Sequence, residues 1–193
     1  MKGIDVSYHN GNIDWQSVVA AGCEFVIIRL GYGKRHLDIK FLDNVNDALR
    51  AGLKIGVYYY SYALDVEDAK AEAQFVHEIL QKHGINPELG IWFDMEDADG
   101  YKARNGMPDK QTITAMCSAF ICTLNDTGYS YVGIYASYSW LTEVIDTAQL
   151  ADYVPYWNAQ WGSCNGFSRA RMWQFTDSLM INNHKFDGNV YYR

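Results

Sequence analysis

Short apolar runs alternate along this chain with longer segments whose apolar residues recur at helical spacing. The runs are Gly3–Ser7, Phe25–Gly31, Lys54–Tyr62, Gly90–Glu96, Tyr131–Ala136, Tyr153–Gln160, Arg171–Thr176 and Phe186–Tyr191, and each is predicted to be a strand. Several, such as VIIRL and KIGVYYY, are apolar at successive positions, as expected of parallel strands covered on both faces. Helical patterns lie between them. Asp14 is placed to cap Trp15–Ala21, which stops at Gly22, and Phe41–Ala51 stops at Gly52. Asp65–His83 is the longest and stops at Gly84; Asp109–Asn125 follows Pro108; Ser137–Ile145 is shorter.

Strands separated by helices predict parallel βαβ units. Eight strands are enough to close a ring, and the last three connections are too short for full helices. The expected fold class is therefore α/β: an irregular (β/α)8-like (TIM-type) barrel of eight strands and fewer than eight helices, with residues 1–193 forming one domain. An open doubly wound sheet is the alternative. It is weakened by the lack of a G-x-G-x-x-G turn after the first strand. The polar stretch Asp97–Lys110 directly follows the fourth strand and is placed to line a cleft.

Composition narrows the classes of function. The net charge is −7 with no Lys/Arg cluster, which argues against nucleic acid as a partner. There is no apolar run of about 18 residues, so no membrane insertion is expected. The chain opens with MKGIDVSYHN, without a charged segment followed by an apolar stretch, so no signal peptide is expected. Cys23, Cys117, Cys122 and Cys164 form no C-x-x-C pair and are expected to be reduced, mostly buried thiols. The notable excess is aromatic: the 15 Tyr, 6 Trp and 8 Phe gather at predicted strand ends, where rings can meet a ligand.

IWFDMED is the most informative segment. Residues two apart on a strand share a face, so Asp94 and Glu96 project together past an apolar run. In a parallel barrel that strand end faces the active site. Two carboxyls held close do not both ionise easily, and a carboxyl that keeps its proton is what acid-catalysed glycosidic cleavage needs. A solvated acidic loop start is the plain alternative. Asp5, between Ile4 and Val6, is expected to point to the same mouth, or else to cap a turn. His9 in the following loop carries little weight alone. Arg29 is expected to pair with a carboxylate across the barrel and to border the substrate.

Tyr58, Tyr60 and Tyr62 share one face, as do Trp157 and Trp161 in YWNAQW; Trp173 and Gln174 follow in WQFTD. Core packing accounts for about half of these aromatics. Tyr60, Tyr62, Trp157 and Gln174 are the candidates for binding sugar faces, hydroxyls or acetamides. Asp187 reads equally as a site acid or as half of an Asp-Gly turn. No H-x-x-x-H or comparable spacing predicts a metal, no G-x-S-x-G predicts a serine nucleophile, and no cofactor is expected.

Together these segments resemble the glycoside hydrolase family 25 lysozymes, the Chalaropsis-type muramidases. The match rests on G-I-D-V-S-x-H-N-G-x-I-D-W at Gly3–Trp15, D-x-E at Asp94–Glu96, W-Q-F-T at Trp173–Thr176 and D-x-N-x-Y at Asp187–Tyr191. It runs in order along essentially the whole chain. The resemblance implies an irregular eight-stranded barrel that hydrolyses the β-1,4 bond between N-acetylmuramic acid and N-acetylglucosamine in bacterial peptidoglycan. It implies Glu96 as general acid/base, Asp94 as its partner, and Asp5 and Asp187 as supporting acids. The second strand departs from a common family form, reading R-L-G-Y-G in place of K-A-T-E-G, so any role of that family glutamate does not transfer. Many such enzymes are phage endolysins or autolysins with a separate cell-wall-binding module, which is expected to lie outside this chain. An endolysin would work from the host cytoplasm onto the wall; other members act outside the cell. A non-catalytic cell-wall glycan-binding barrel and a metal-dependent hydrolase are the rival readings.

Overall fold

A computed structural model of the chain describes residues 1–192. In chain order the strands are β1 (Lys2–Val6), β2 (Phe25–Tyr32), β3 (His36–Leu37), β4 (Lys54–Tyr60), β5 (Ile91–Asp94), β6 (Val132–Ser137), β7 (Tyr156–Ala159), β8 (Ala170–Ile181) and β9 (His184–Tyr191). The helices are α1 (Trp15–Ala20), α2 (Phe41–Arg50), α3 (Val66–His83), α4 (Tyr101–Arg104) and α5 (Lys110–Asp126). Asp14, Asp65 and Asp109 cap α1, α3 and α5, each accepting the backbone N–H three residues on. Each cap satisfies a donor that the first helical turn leaves free, worth about 1 kcal/mol.

The sheet runs β1-β9-β8-β7-β6-β5-β4-β2, and β1 pairs back onto β2. That last pairing closes the ring of eight strands and overturns the open-sheet alternative; β3 is a two-residue appendage on the outer end of β2. The barrel is mixed rather than all parallel. β9 runs antiparallel to both its neighbours, β8 and β1. Its direction follows from the short link before it: Asn182 and Asn183 both have positive φ, 46° and 62°. Two such residues make the tight turn that matches strand twist, and asparagine tolerates that region. The hairpin rises past the rim of the ring, and Asn182 Nδ2 rests 3.2 Å from Asp14 Oδ2 and Ser17 Oγ at the start of α1.

Strand periodicity divides the apolar side chains into two cores. Ile4, Val6, Val26, Ile28, Tyr59, Phe93 and Ile134 point outward under the helices. Phe25, Ile27, Trp92, Trp157 and Met172 point inward and fill the lower barrel. Glycines make room for these large inner side chains. A Cβ on Gly133 would lie 2.7 Å from Trp92 Cζ3 and 2.5 Å from Pro155 O, and one on Gly56 would lie 2.6 Å from Ile27 Cδ1. With its base plugged, the barrel opens only at the end where the parallel strands finish.

Several element boundaries differ from expectation. Only Tyr156–Ala159 of the predicted strand Tyr153–Gln160 forms a strand, whereas β8 runs five residues beyond Thr176 to Ile181. The expected helix at Ser137–Ile145 is a single π-helical turn, Trp140–Val144. The polar loop after β5 contains the short helix α4. The four thiols are free, as expected, but only Cys23 and Cys117 are buried; Cys122 and Cys164 are exposed.

Candidate active site

The two-residue period that buries Trp92 inside the ring also turns Asp94 and then Glu96 inward at the rim. Asp94 is buried, 3% exposed, and Glu96 is half-buried beside it. On β1, Asp5 follows Gly3 on the inner face; on β9, Asp187 stands opposite Asp5 in register. These four carboxyls line one cleft of about 380 Å³, with Tyr58, Tyr60, Tyr135, Trp157, Trp161 and Gln174 among its other walls.

Burial raises the Asp94 carboxyl well above the usual range, and the charge of Glu96 raises it further. Burial also raises Glu96. Asp94 Oδ1 has no donor partner. A proton held between the two acids supplies that donor, since buried polar atoms are rarely left unpaired. The pair is thus built to keep one proton, and Glu96 is the member that reaches the open cleft.

Asp5 is held differently. Its Oδ2 accepts from Asn189 Nδ2 at 2.6 Å and from Gln174 Nε2 at 3.0 Å. Each amide is oriented in turn: Trp157 Nε1 donates to Asn189 Oδ1 at 2.8 Å, while Tyr135 OH and Trp161 Nε1 donate to Gln174 Oε1 at 3.2 and 3.3 Å. Burial and the facing Asp187 nevertheless raise Asp5. Burial raises Asp187 to about 6. Two like acids directly opposite on paired strands repel each other.

The other predicted residues fall into distinct places. Trp157, 1% exposed, forms the cleft floor rather than a platform; its indole packs edge-on against Tyr58, Tyr135 and Trp92. The exposed indole at the rim is Trp161, 62% exposed. Tyr60 lines the cleft and also an adjoining hollow of about 350 Å³, whose walls include Tyr8, His9, Arg29, Tyr32 and Tyr62. Tyr62 donates to Asp99 Oδ2 at 2.6 Å. Arg29 borders both spaces, but its Nε pairs with Asp38 at 2.8 Å, not with a cleft acid across the barrel. Its guanidinium lies 4.9 Å from the Tyr8 ring and 5.3 Å from that of Tyr32. Asp187 sits within β9, so Asp187–Gly188 is not a turn; the turn is Asn182–Asn183.

Sequence reading passed over Asn189, Tyr135, Asp38, Glu72 and Lys102. Asn189 lay inside the quoted D-x-N and shares the inner face of its strand with Asp187. Tyr135 sits at an inward position of a segment already predicted as a strand, so its period would have found it. Among the described residues, no group of three or more His, Cys, Asp or Glu side chains is arranged to hold a metal ion.

A family model for glycosyl hydrolases family 25 matches residues 4–184, and the chain belongs to that family. It is similar to the autolytic lysozyme of Clostridium acetobutylicum, 27% identical over 94% of this chain and 57% of that protein. It is also similar to lysozyme M1 of Streptomyces globisporus, 26% identical over 98% of this chain and 69% of that one. Among solved structures, the modular autolysin LytC of Streptococcus pneumoniae superposes with a TM-score of 0.89 at 28% identity, over 99% of this chain and 46% of LytC. The chain thus spans about half the length of the autolysins it matches. A family 25 glycosyl hydrolase from Bacillus anthracis shares the fold, with a TM-score of 0.80 at 22% identity over 100% of this chain and 89% of that one.

Proposed function

We propose that this chain is a muramidase that cleaves the β-1,4 bond between N-acetylmuramic acid and N-acetylglucosamine in peptidoglycan, with Glu96 as general acid/base and Asp94 assisting. The observation that carries this reading is the convergence of Asp94 and Glu96, both raised by burial, at the rim of a plugged barrel. Relatives described as lysozymes support it, as does a LytC structure in complex with a synthetic peptidoglycan ligand. As an endolysin or autolysin, the protein would meet its substrate in the bacterial wall.

In this reading the glycan lies across the strand ends. Glu96 gives its proton to the glycosidic oxygen as the bond from that oxygen to C1 breaks. The carbonyl oxygen of the substrate's 2-acetamido group closes on C1, and Asp94 orients the amide and balances the positive charge. This substrate-assisted route is a known exception to the two-carboxylate scheme. It suits Asp94, which is too buried to approach C1 freely. Water then opens the ring at C1, and Glu96 takes a proton back. Tyr58 and Tyr135 stay protonated through burial and the nearby acids; the Tyr58 hydroxyl is thus a donor to sugar oxygens, while that of Tyr135 donates to Gln174 and offers its oxygen as an acceptor.

The test is Glu96→Gln, assayed by release of reducing ends from purified cell walls. A loss of about a hundredfold or more is expected for removal of a general acid. Activity within about tenfold of wild type refutes the assignment. N-acetylmuramic acid at the new reducing ends supports a muramidase, and N-acetylglucosamine there refutes that specificity.

A further inference from the structure

The loop that follows the catalytic strand carries a buried cation that the proposed chemistry has not used. Lys102, on α4, is 1% exposed, although most of its loop lies in water. Among the described residues its ammonium donates only to backbone carbonyls, those of Ser61 at the end of β4 and of Glu96, the latter at 2.9 Å. The Ser61 backbone N–H in turn donates to Asp94 O at 3.0 Å. One ammonium therefore ties together the chain ends that present both acids.

Other groups face Lys102 from each element packed around it. These are Glu72 on α3, Asp94 on β5, Asp97 and Asp99 in the loop, and Cys117 on α5. Glu72 is the nearest in character to a counter-ion. Its two oxygens already accept from Ser61 Oγ at 2.7 Å and Tyr62 N at 2.9 Å. Burial raises it to about 8. Below that pH Glu72 leans to its neutral form, and the charges that favour the Lys102 ammonium come from Asp94, Asp97 and Asp99 without a direct ion pair. A buried cation without a partner is costly to keep.

Resting on the muramidase reading above, we propose that Lys102 is a positioning residue for the acid pair: its ammonium fixes the Glu96 backbone, and its charge sets how tightly Asp94 and Glu96 hold their proton. Without it, burial and the charge of Glu96 would act on Asp94 with no cation to offset them, and Glu96 would keep only its hydrogen bond to Asp94 as a counterweight. The acids would stay doubly protonated to higher pH, and Asp94 could not carry the negative charge that balances the sugar cation. Among the influences on Asp94, Lys102 is the largest that favours the ionised form.

The experiment titrates the side-chain carboxyl carbons of Asp94 and Glu96 by 13C NMR in the wild type and in Lys102→Met, beside pH–activity profiles on cell walls. Both carboxyl titrations are expected to move up by about half a pH unit or more in the variant, carrying both limbs of the activity profile with them. Glu72→Gln keeps the ammonium and removes a group that is neutral over most of the range, so its titrations are expected to stay in place below about pH 8. A Lys102→Met variant that is folded but titrates like wild type overturns the proposal, even if its activity falls. Should Lys102→Met not fold, Lys102→Gln takes its place. The 15N signal of the Lys102 ammonium in the wild type gives a separate test: a neutral amine anywhere below about pH 8 overturns the idea. A wild type that leaves cell walls intact while its carboxyls shift as expected would refute the muramidase reading alone, because the NMR titration does not depend on turnover.

Discussion

Asp187→Asn is expected to stabilise the protein at neutral pH, and the gain is expected to vanish in acid. Asp187 faces Asp5 across paired strands, and burial, helped by the Asp177 charge, pushes its carboxyl up to about 6 from an ordinary value of 3.8. The folded state therefore binds this proton more tightly than the unfolded chain does. Below the unfolded value both states are protonated and the group costs nothing. As pH rises through about 6, the folded chain must ionise a carboxyl that resists it, and stability is lost. At about 1.4 kcal/mol per pH unit the full penalty is about 3 kcal/mol; halving it because water reaches and screens the half-buried group leaves about 1.5 kcal/mol. An asparagine carries no charge at any pH, and its presence also relieves Asp5 of its repelling neighbour. Urea unfolding of wild type and variant at about pH 7.5 and about pH 3.5 measures the difference. The expected result is a gain of about 1–2 kcal/mol at the higher pH and close to none at the lower. A gain of equal size at both pH values, or a loss at the higher one, would refute the charge argument. Turnover is expected to fall in the same variant, since the acid was placed in the cleft at a cost to the fold.

Two further predictions concern the scaffold. Gly133→Ala is expected to destabilise by about 1–3 kcal/mol, because its methyl group would press on the Trp92 ring and on Pro155 O, which has no room to move; a melting temperature unchanged from wild type would contradict the packing described for the barrel base. In the native protein a thiol reagent is expected to modify Cys122 and Cys164 quickly and to leave Cys23 and Cys117 untouched until the chain is unfolded; labelling of all four at one rate would show the buried pair to be accessible.

What the sequence made legible was whatever depends on period and on neighbours along the chain. The alternation in IWFDMED already placed Trp92, Asp94 and Glu96 on one face, and only the ring was needed to turn that face inward. Helix limits were equally local for α1, α3 and α5, each of which carries an aspartate cap before it. Direction was harder. The Phe186–Tyr191 run has the same apolar pattern whether it lies parallel or antiparallel, and what decides is the pair Asn182–Asn183, a weaker turn signal than the Asp187–Gly188 dipeptide five residues on. Asp-Gly lost to the ladder because β1 offers a partner for every residue from Asp187 to Val190, and a turn there would have forfeited those bonds.

Lys102 and Glu72 were illegible for a different reason. Each sits among exposed, charged neighbours in a stretch that reads as a solvated surface: YKARN for the lysine, and the acidic and basic face of α3 for the glutamate. Nothing local separates a cation that will be buried from one that will not. The separation arises only when the loop after β5 folds back over the end of β4, so that Lys102 meets Ser61, a residue 41 positions away. The acids of the cleft are announced by the strands that carry them. The charge that governs them is contributed by a loop, and it acquires its surroundings only once the barrel has closed. A search for what tunes such a site therefore has to begin from the buried charges that the strand pattern leaves unexplained.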